Sequence, residues 1–122
     1  KNIIDNANLH QRYEILLNDI IQNKPSEKAD FIISQEVLEH LEDPQIFIDA
    51  LYSSVKDNGF GYITAAINAG HTDHIYLYRS PDEVEEQIHK SGWKIINKKI
   101  EYANETKPIN IRPTIAAFFV KK

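Results

Sequence analysis

Glu36, Glu39 and His40 place two carboxylates and an imidazole within the stretch Ile33-Ser34-Gln35-Glu36-Val37-Leu38-Glu39-His40-Leu41-Glu42-Asp43-Pro44. On a helix these three side chains fall at i, i+3 and i+4 and share one face. Further along, a loop carries His71, Asp73 and His74. Carboxylate oxygens combined with imidazole nitrogens suit a divalent ion such as Mg²⁺, Mn²⁺, Fe²⁺, Co²⁺ or Zn²⁺. The same residues also admit simpler roles. His40 can serve as a general base without a metal. Glu36 can be a carboxylate favoured by the dipole at a helix start.

The elements that must position these groups follow from the hydrophobic pattern. Tyr13, Leu16, Leu17, Ile20 and Ile21 predict a helix from about Leu9 to Asn23, ended by Lys24-Pro25-Ser26. Asp30 to Ser34 is a short apolar run, as expected for a strand covered on both faces. A helix is then expected from Glu36. A second helix has Asp43 as its N-cap and Pro44 in its first turn. Ile46, Phe47, Ala50, Leu51 and Val55 give that helix an inner face, and Asn58-Gly59 is expected to stop it. Phe60 to Ile67 is the next strand. Ser80-Pro81-Asp82-Glu83 is a capping box that opens a helix buried through Val84 and Ile88 and ended by Gly92. Trp93 to Tyr102 and Thr114 to Val120 are strands, and the polar turn Asn104 to Pro113 predicts that they pair antiparallel.

This alternation predicts an α/β fold in a single partial domain over residues 1–122. Ligands of open α/β sheets bind beyond the carboxyl ends of the strands. Phe31–Ser34 and Phe60–Ile67 are expected to be neighbours, so their tips would aim Glu36, Glu39, His40 and the His71–His74 loop into one crevice. The 122 residues carry a net charge of −4, which argues mildly against a partner bound through phosphates. There is no cysteine, hence no thiolate ligand or nucleophile. The longest apolar runs are far too short to span a bilayer, and no signal-peptide pattern opens the chain. A cytoplasmic protein is the expectation. The absence of methionine suggests a piece of a longer chain or a processed one.

The order of these elements resembles the C-terminal half of a class I S-adenosylmethionine-dependent methyltransferase, over roughly residues 30 to 120. Phe31-Ile32-Ile33-Ser34 is similar to that family's fourth strand, and Glu36-Val37-Leu38-Glu39-His40 to the start of the helix after it. Val55-Lys56-Asp57-Asn58-Gly59-Phe60-Gly61-Tyr62-Ile63-Thr64 resembles the entry to its fifth strand, with Asp57-Asn58 where Pro-Gly is usual. Ser91-Gly92-Trp93 resembles the start of its sixth. The resemblance implies a Rossmann-like, mostly parallel sheet with a terminal antiparallel strand. It implies S-adenosylmethionine as cofactor, with Ser34 and Gln35 near it and Asp5 at the remnant of an adenine-contacting strand end; a plain polar turn at Asp5-Asn6-Ala7 is the competing reading. The pattern E-x-x-E-H with a later D-H is also similar to the metal site of the small-RNA 3′-terminal 2′-O-methyltransferases, and E-x-x-E-H to the ubiquinone-pathway O-methyltransferases. That likeness implies Glu36, Glu39, His40 and His74 as ligands of Mg²⁺ or another divalent ion, with Glu36, His40 and His74 in catalytic positions. Tyr76, Tyr78 and Arg79 would line the acceptor pocket.

The departure from the pattern is equally specific. The glycine-rich G-x-G-x-G loop is absent: the only glycines are Gly59, Gly61, Gly70 and Gly92. The N-terminal half of the fold is therefore expected to be missing. Without the family's first strand, Phe31-Ile32-Ile33 would present an open apolar edge. Three consequences stand open: dimerisation or completion by another chain, cover by the chain's own N-terminal segment, or marginal stability. The expected function is methyl transfer to a hydroxyl oxygen of a small molecule, favoured over RNA by the acidic charge. The alternative is a non-catalytic half-domain that binds a partner through its open edge, and a weaker one is a metal-dependent hydrolase.

Overall fold

A computed structural model describes residues 20–21, 26–70, 73–104 and 106–122. The predicted helix from Leu9 to Asn23 lies almost wholly outside the described residues, as do Asp5 and His71. The described elements run β1 (Ala29–Gln35), a 3₁₀ turn (Leu38–His40), α1 (Pro44–Ser53), β2 (Val55–Ile67), α2 (Pro81–Ser91), β3 (Lys94–Tyr102) and β4 (Thr114–Lys121), with a second 3₁₀ turn at Ile109–Ile111. The strands form one sheet in the order β1-β2-β4-β3. β1 and β2 are parallel, with Ile33 opposite Tyr62 and Gln35 opposite Thr64. β4 is antiparallel to both β2 and β3, so the sheet is mostly what the alternating pattern predicted.

Two boundaries differ from the sequence reading. α1 ends at Ser53, well before Asn58-Gly59. Ser54 closes it: its N–H reaches the carbonyl oxygens of Ala50 and Leu51 at 3.1 Å, and its hydroxyl donates to Ala50 O at 2.8 Å. Asn58, with φ 67°, lies inside β2 where the register with β1 slips between Ala29 and Phe31. The Asn-Gly pair therefore makes a bulge in a strand. The inner face of α1 is also rotated from expectation. Ile46 is 49% exposed, whereas Ile48 is fully buried with Leu51 and Val55.

Three of the helix-end signals fold as written. Asp43 caps α1 by accepting from Gln45 N at 3.1 Å. Ser80 and Glu83 form the capping box of α2. Gly92 ends α2 at φ 112°, a left-handed conformation that glycine adopts without strain. Trp93 then packs edge-on against Tyr52, with ring centroids 5.3 Å apart.

The core lies between α1, α2 and one face of the sheet. Ile63, Ala65 and Ile67 of β2 and Ala116, Phe118 and Val120 of β4 meet Ile48, Leu51, Val84 and Ile88 there. Side chains alternate across a strand, so the opposite face carries Phe31, Ile33, Phe60, Tyr62, Ile115 and Phe119. Among the described residues no helix covers this second face, and Phe31 and Ile33 are 44% and 59% exposed.

Candidate metal centre

The chain turns sharply where β1 ends. Glu36 N–H donates to Thr64 Oγ1 at 2.8 Å and to Thr64 O at 3.2 Å, which prolongs the parallel ladder by one residue. Glu36 takes φ 52°, a left-handed conformation costly for a residue with a Cβ. The expected helix from Glu36 is thus overturned: only the single 3₁₀ turn Leu38–His40 forms. Pro44 contributes to this, because the residue before a proline is pushed out of the helical region, and Asp43 sits at ψ 89°. With no helix, the three-on-one-face argument fails.

A smaller group gathers at the tips of β1 and β2. Glu39, His40 and His74 each offer a ligand atom, and these atoms lie within 4.8 Å of one another. Glu36 is not among them. Glu39 is 1% exposed. Its Oε1 accepts from Ala66 N–H at 3.2 Å, while its backbone carbonyl accepts from Tyr76 N–H at 3.0 Å. Its Oε2 is buried and, among the described residues, has no hydrogen-bond partner. Among the described residues the nearest cation-forming atom is His40 Nε2 at 3.8 Å, too far for a hydrogen bond.

Backbone carbonyls hold both imidazoles. His40 Nδ1 is 2.8 Å from Asp73 O, and His74 Nδ1 is 2.5 Å from Ala69 O. A carbonyl only accepts, so each Nδ1 carries the proton, and in a neutral ring Nε2 then presents a lone pair. The two rings meet edge to face with centroids 4.7 Å apart. A buried carboxylate oxygen and the imidazoles beside it thus offer lone pairs to one small space. A polar atom left without a partner is costly in such a place. A divalent ion would resolve that cost: ligand atoms each about 2.1 Å from an ion stand roughly 3–4 Å apart. Imidazoles anchored through Nδ1 to a carbonyl are the usual supporting arrangement of metal ligands. The donor set fits a divalent metal.

Other expected site residues fall elsewhere. Tyr78 is fully buried in the core, and its hydroxyl donates to Gln87 Oε1 at 2.5 Å. Burial, and then the neighbouring Tyr76 and Glu39, push its hydroxyl well above the usual tyrosine range. It cannot line an acceptor pocket. Tyr76 packs half-buried against it with ring centroids 4.7 Å apart, and Arg79 is exposed. Ser34 is buried with its Oγ unpartnered, and Gln35 is exposed at the β1 tip beside Glu36 and Thr64. Sequence reasoning missed the anchors Ala66 N–H, Ala69 O and Asp73 O, which are backbone groups and carry no residue-type signal. It also missed Glu101 and Tyr102. They end β3 and line a cavity of about 540 Å³ next to His74. The antiparallel β3–β4 pairing was the signal that could have found them, since it returns the β3 end to the β2 tip.

A family model described as a methyltransferase domain matches residues 4–71. That is more than half of the 122 residues, and the chain belongs to this family, the class I S-adenosylmethionine-dependent methyltransferases. Solved structures agree on the fold. The [4+2]-cyclase SpnF superposes with a TM-score of 0.76 at 11% identity, covering 98% of this chain and 59% of that one. An O-methyltransferase of a trans-AT PKS multienzyme of Brevibacillus brevis, in complex with S-adenosylhomocysteine, gives 0.70 at 15%, covering 98% and 52%. The N-methyltransferase NodS of Bradyrhizobium japonicum, with the same ligand, gives 0.62 at 18%, covering 89% and 56%. The chain thus spans little more than half the length of these structures. No curated protein matches by sequence. A cyclase among the neighbours shows that this fold does not by itself fix the reaction.

Proposed function

We propose that the chain forms the acceptor side of a methyltransferase that moves a methyl group from S-adenosylmethionine to a hydroxyl oxygen of a small molecule, assisted by a divalent ion. The observation that carries this reading is Glu39 Oε2, buried without a partner beside two imidazoles whose Nδ1 atoms are spoken for. In the transfer, the acceptor oxygen bonds to the methyl carbon, the C–S bond breaks, S-adenosylhomocysteine leaves and the hydroxyl proton departs. A bound ion would lower the pKa of the hydroxyl it touches. Glu39, His40 and His74 would hold that ion, and the Glu39 carboxylate would offset its charge. Asp73 O and Ala69 O fix the ring orientations, which removes reorganisation from the reacting state. For S-adenosylmethionine this stretch supplies the β1 tip at Ser34 and Gln35; the glycine loop is not within these 122 residues.

The test is transfer of a labelled methyl group by the full-length gene product to a panel of hydroxylated acceptors. The expected result is transfer that stops on chelation and resumes with Mn²⁺ or Mg²⁺. Transfer indifferent to a chelator removes the metal from the reading, and no transfer to any acceptor removes the enzyme. A second reading, a non-catalytic half-domain that docks on a partner, is favoured by one observation: the uncovered apolar sheet face with Phe31, Ile33 and Phe60 exposed. Failure of transfer together with a stable dimer in solution would support it.

A further inference from the structure

The loop that carries His74 leaves β2 at Asn68. Asn68 takes φ 55°, a left-handed conformation that asparagine tolerates better than most residues with a Cβ. Its N–H donates to Tyr78 O at 2.8 Å, which extends the bridge between Ile67 and Tyr78 and ties the two ends of the loop together. Its carboxamide reaches out of the loop. Nδ2 donates to Asn110 O at 3.2 Å and to Arg112 O at 3.4 Å, both in the turn between β3 and β4. Carbonyls only accept, so the nitrogen end of the carboxamide faces them. That turn is itself braced: Arg112 Nε and Nη2 donate to Lys107 O at 3.0 and 2.6 Å, and Thr114 Oγ1 donates to Arg112 O at 2.8 Å. The next residue after this clamp is Ala69, whose carbonyl accepts from His74 Nδ1. On its other side the chain passes Gly70, where even an added Cβ would meet nothing within 4 Å among the described residues. The Ala69 carbonyl is therefore held from the Asn68 side.

From this we infer that Asn68 is a positioning residue of the metal centre. Its grip on the Asn110 and Arg112 carbonyls fixes the Ala69 carbonyl, which keeps the His74 ring protonated on Nδ1 and leaves Nε2 as the lone pair offered beside Glu39 and His40. The inference rests on the function proposed above for the word metal; the hold on the ring stands on the hydrogen bonds alone. It gives the β3–β4 turn a part in the site although that turn supplies no ligand. A partner that sets the tautomer and direction of a ligating imidazole matters nearly as much as the ligand itself.

Two variants decide it. In Asn68→Gly the backbone keeps its left-handed turn without strain and its N–H for Tyr78 O, and only the carboxamide is lost. Asn68→Asp keeps the shape but sets a carboxylate, which cannot donate, against the two carbonyls. The full-length gene product, labelled with ¹⁵N in histidine and tryptophan, is studied metal-free by long-range ¹⁵N NMR in alkaline buffer, where imidazole is neutral. The wild type is expected to show His40 and His74 protonated on Nδ1. Both variants are expected to show His74 as a mixture of tautomers, with His40, held by Asp73 O, unchanged. The indole signal of Trp93, packed on Tyr52 at the other end of β3, should also stay in place, which a general loosening of the fold would not allow. Titration with Co²⁺ is then expected to show affinity about tenfold lower in both variants. A His74 tautomer unchanged in both variants, or one that moves only together with His40 and Trp93, would overturn the inference. A tautomer shift in a protein whose wild type takes up no Co²⁺ would support the hold on His74 and count against the metal reading alone.

Discussion

Glu39→Gln is expected to lower the affinity for a divalent ion by at least about 100-fold, whereas Glu36→Gln is expected to leave it within about twofold. Loss of an outer-shell partner alone typically costs 10–100-fold in metal affinity, and Glu39 is placed as a ligand. Glutamine keeps an oxygen for Ala66 N–H, now accepted at 3.2 Å, so the fold should survive. What it removes is the charge at the buried, unpartnered Oε2. Titration with Co²⁺, followed by its visible absorption, reads the site without any activity. A four-ligand site built on E-x-x-E-H would respond equally to both substitutions. Equal losses would therefore show that the left-handed turn at Glu36 has been misassigned a non-ligand role.

The largest expected effect on stability is Phe118→Ala, about 3–5 kcal/mol. Phe118 is fully buried under α1 and α2 in the middle of the sheet. Its neighbour Phe119 points to the opposite face, stacked on Phe60 with ring centroids 5.7 Å apart and planes within 4°. Phe119→Ala should cost about 1–2 kcal/mol, because its ring is only partly buried, against Phe31 and Phe60, which are themselves exposed. Urea denaturation of the two variants measures both. A whole domain of this kind is worth on the order of 5–15 kcal/mol, so the first loss leaves little in reserve. Comparable losses at the two positions would mean that something covers the second face in solution.

The strands, both long helices and all their caps but the C-terminal one of α1 were legible because each rests on local chemistry. Asp43-Pro44, Ser80 to Glu83 and Gly92 act within a few residues of themselves, and the antiparallel return of β4 followed from a polar turn. The turn at Glu36 was not legible. Gln35-Glu36-Val37-Leu38-Glu39-His40 has sound helical spacing, and what defeats it is a tertiary contact: Thr64 on β2 takes the Glu36 N–H into the ladder. The rotation of α1 that buries Ile48 in place of Ile46 has a similar origin, since the sheet selects the face. Glu39 and His40 were found from their types. His74 was reached through resemblance to a metal-site pattern, and the structure brings it to the other two through the loop after β2.

The strand order has a consequence for how the molecule is made. β4 lies between β2 and β3 although it is the last of the four to be synthesised. A ribosome therefore delivers two strands whose facing edges have nothing to bind until residues 114–121 arrive. A nascent chain halted before Thr114 leaves the facing edges of β2 and β3 as bare backbone, a natural substrate for chaperones and proteases. Completion of the sheet is thus a late step, since the edge of β2 that faces away from β1 is paired only by β4.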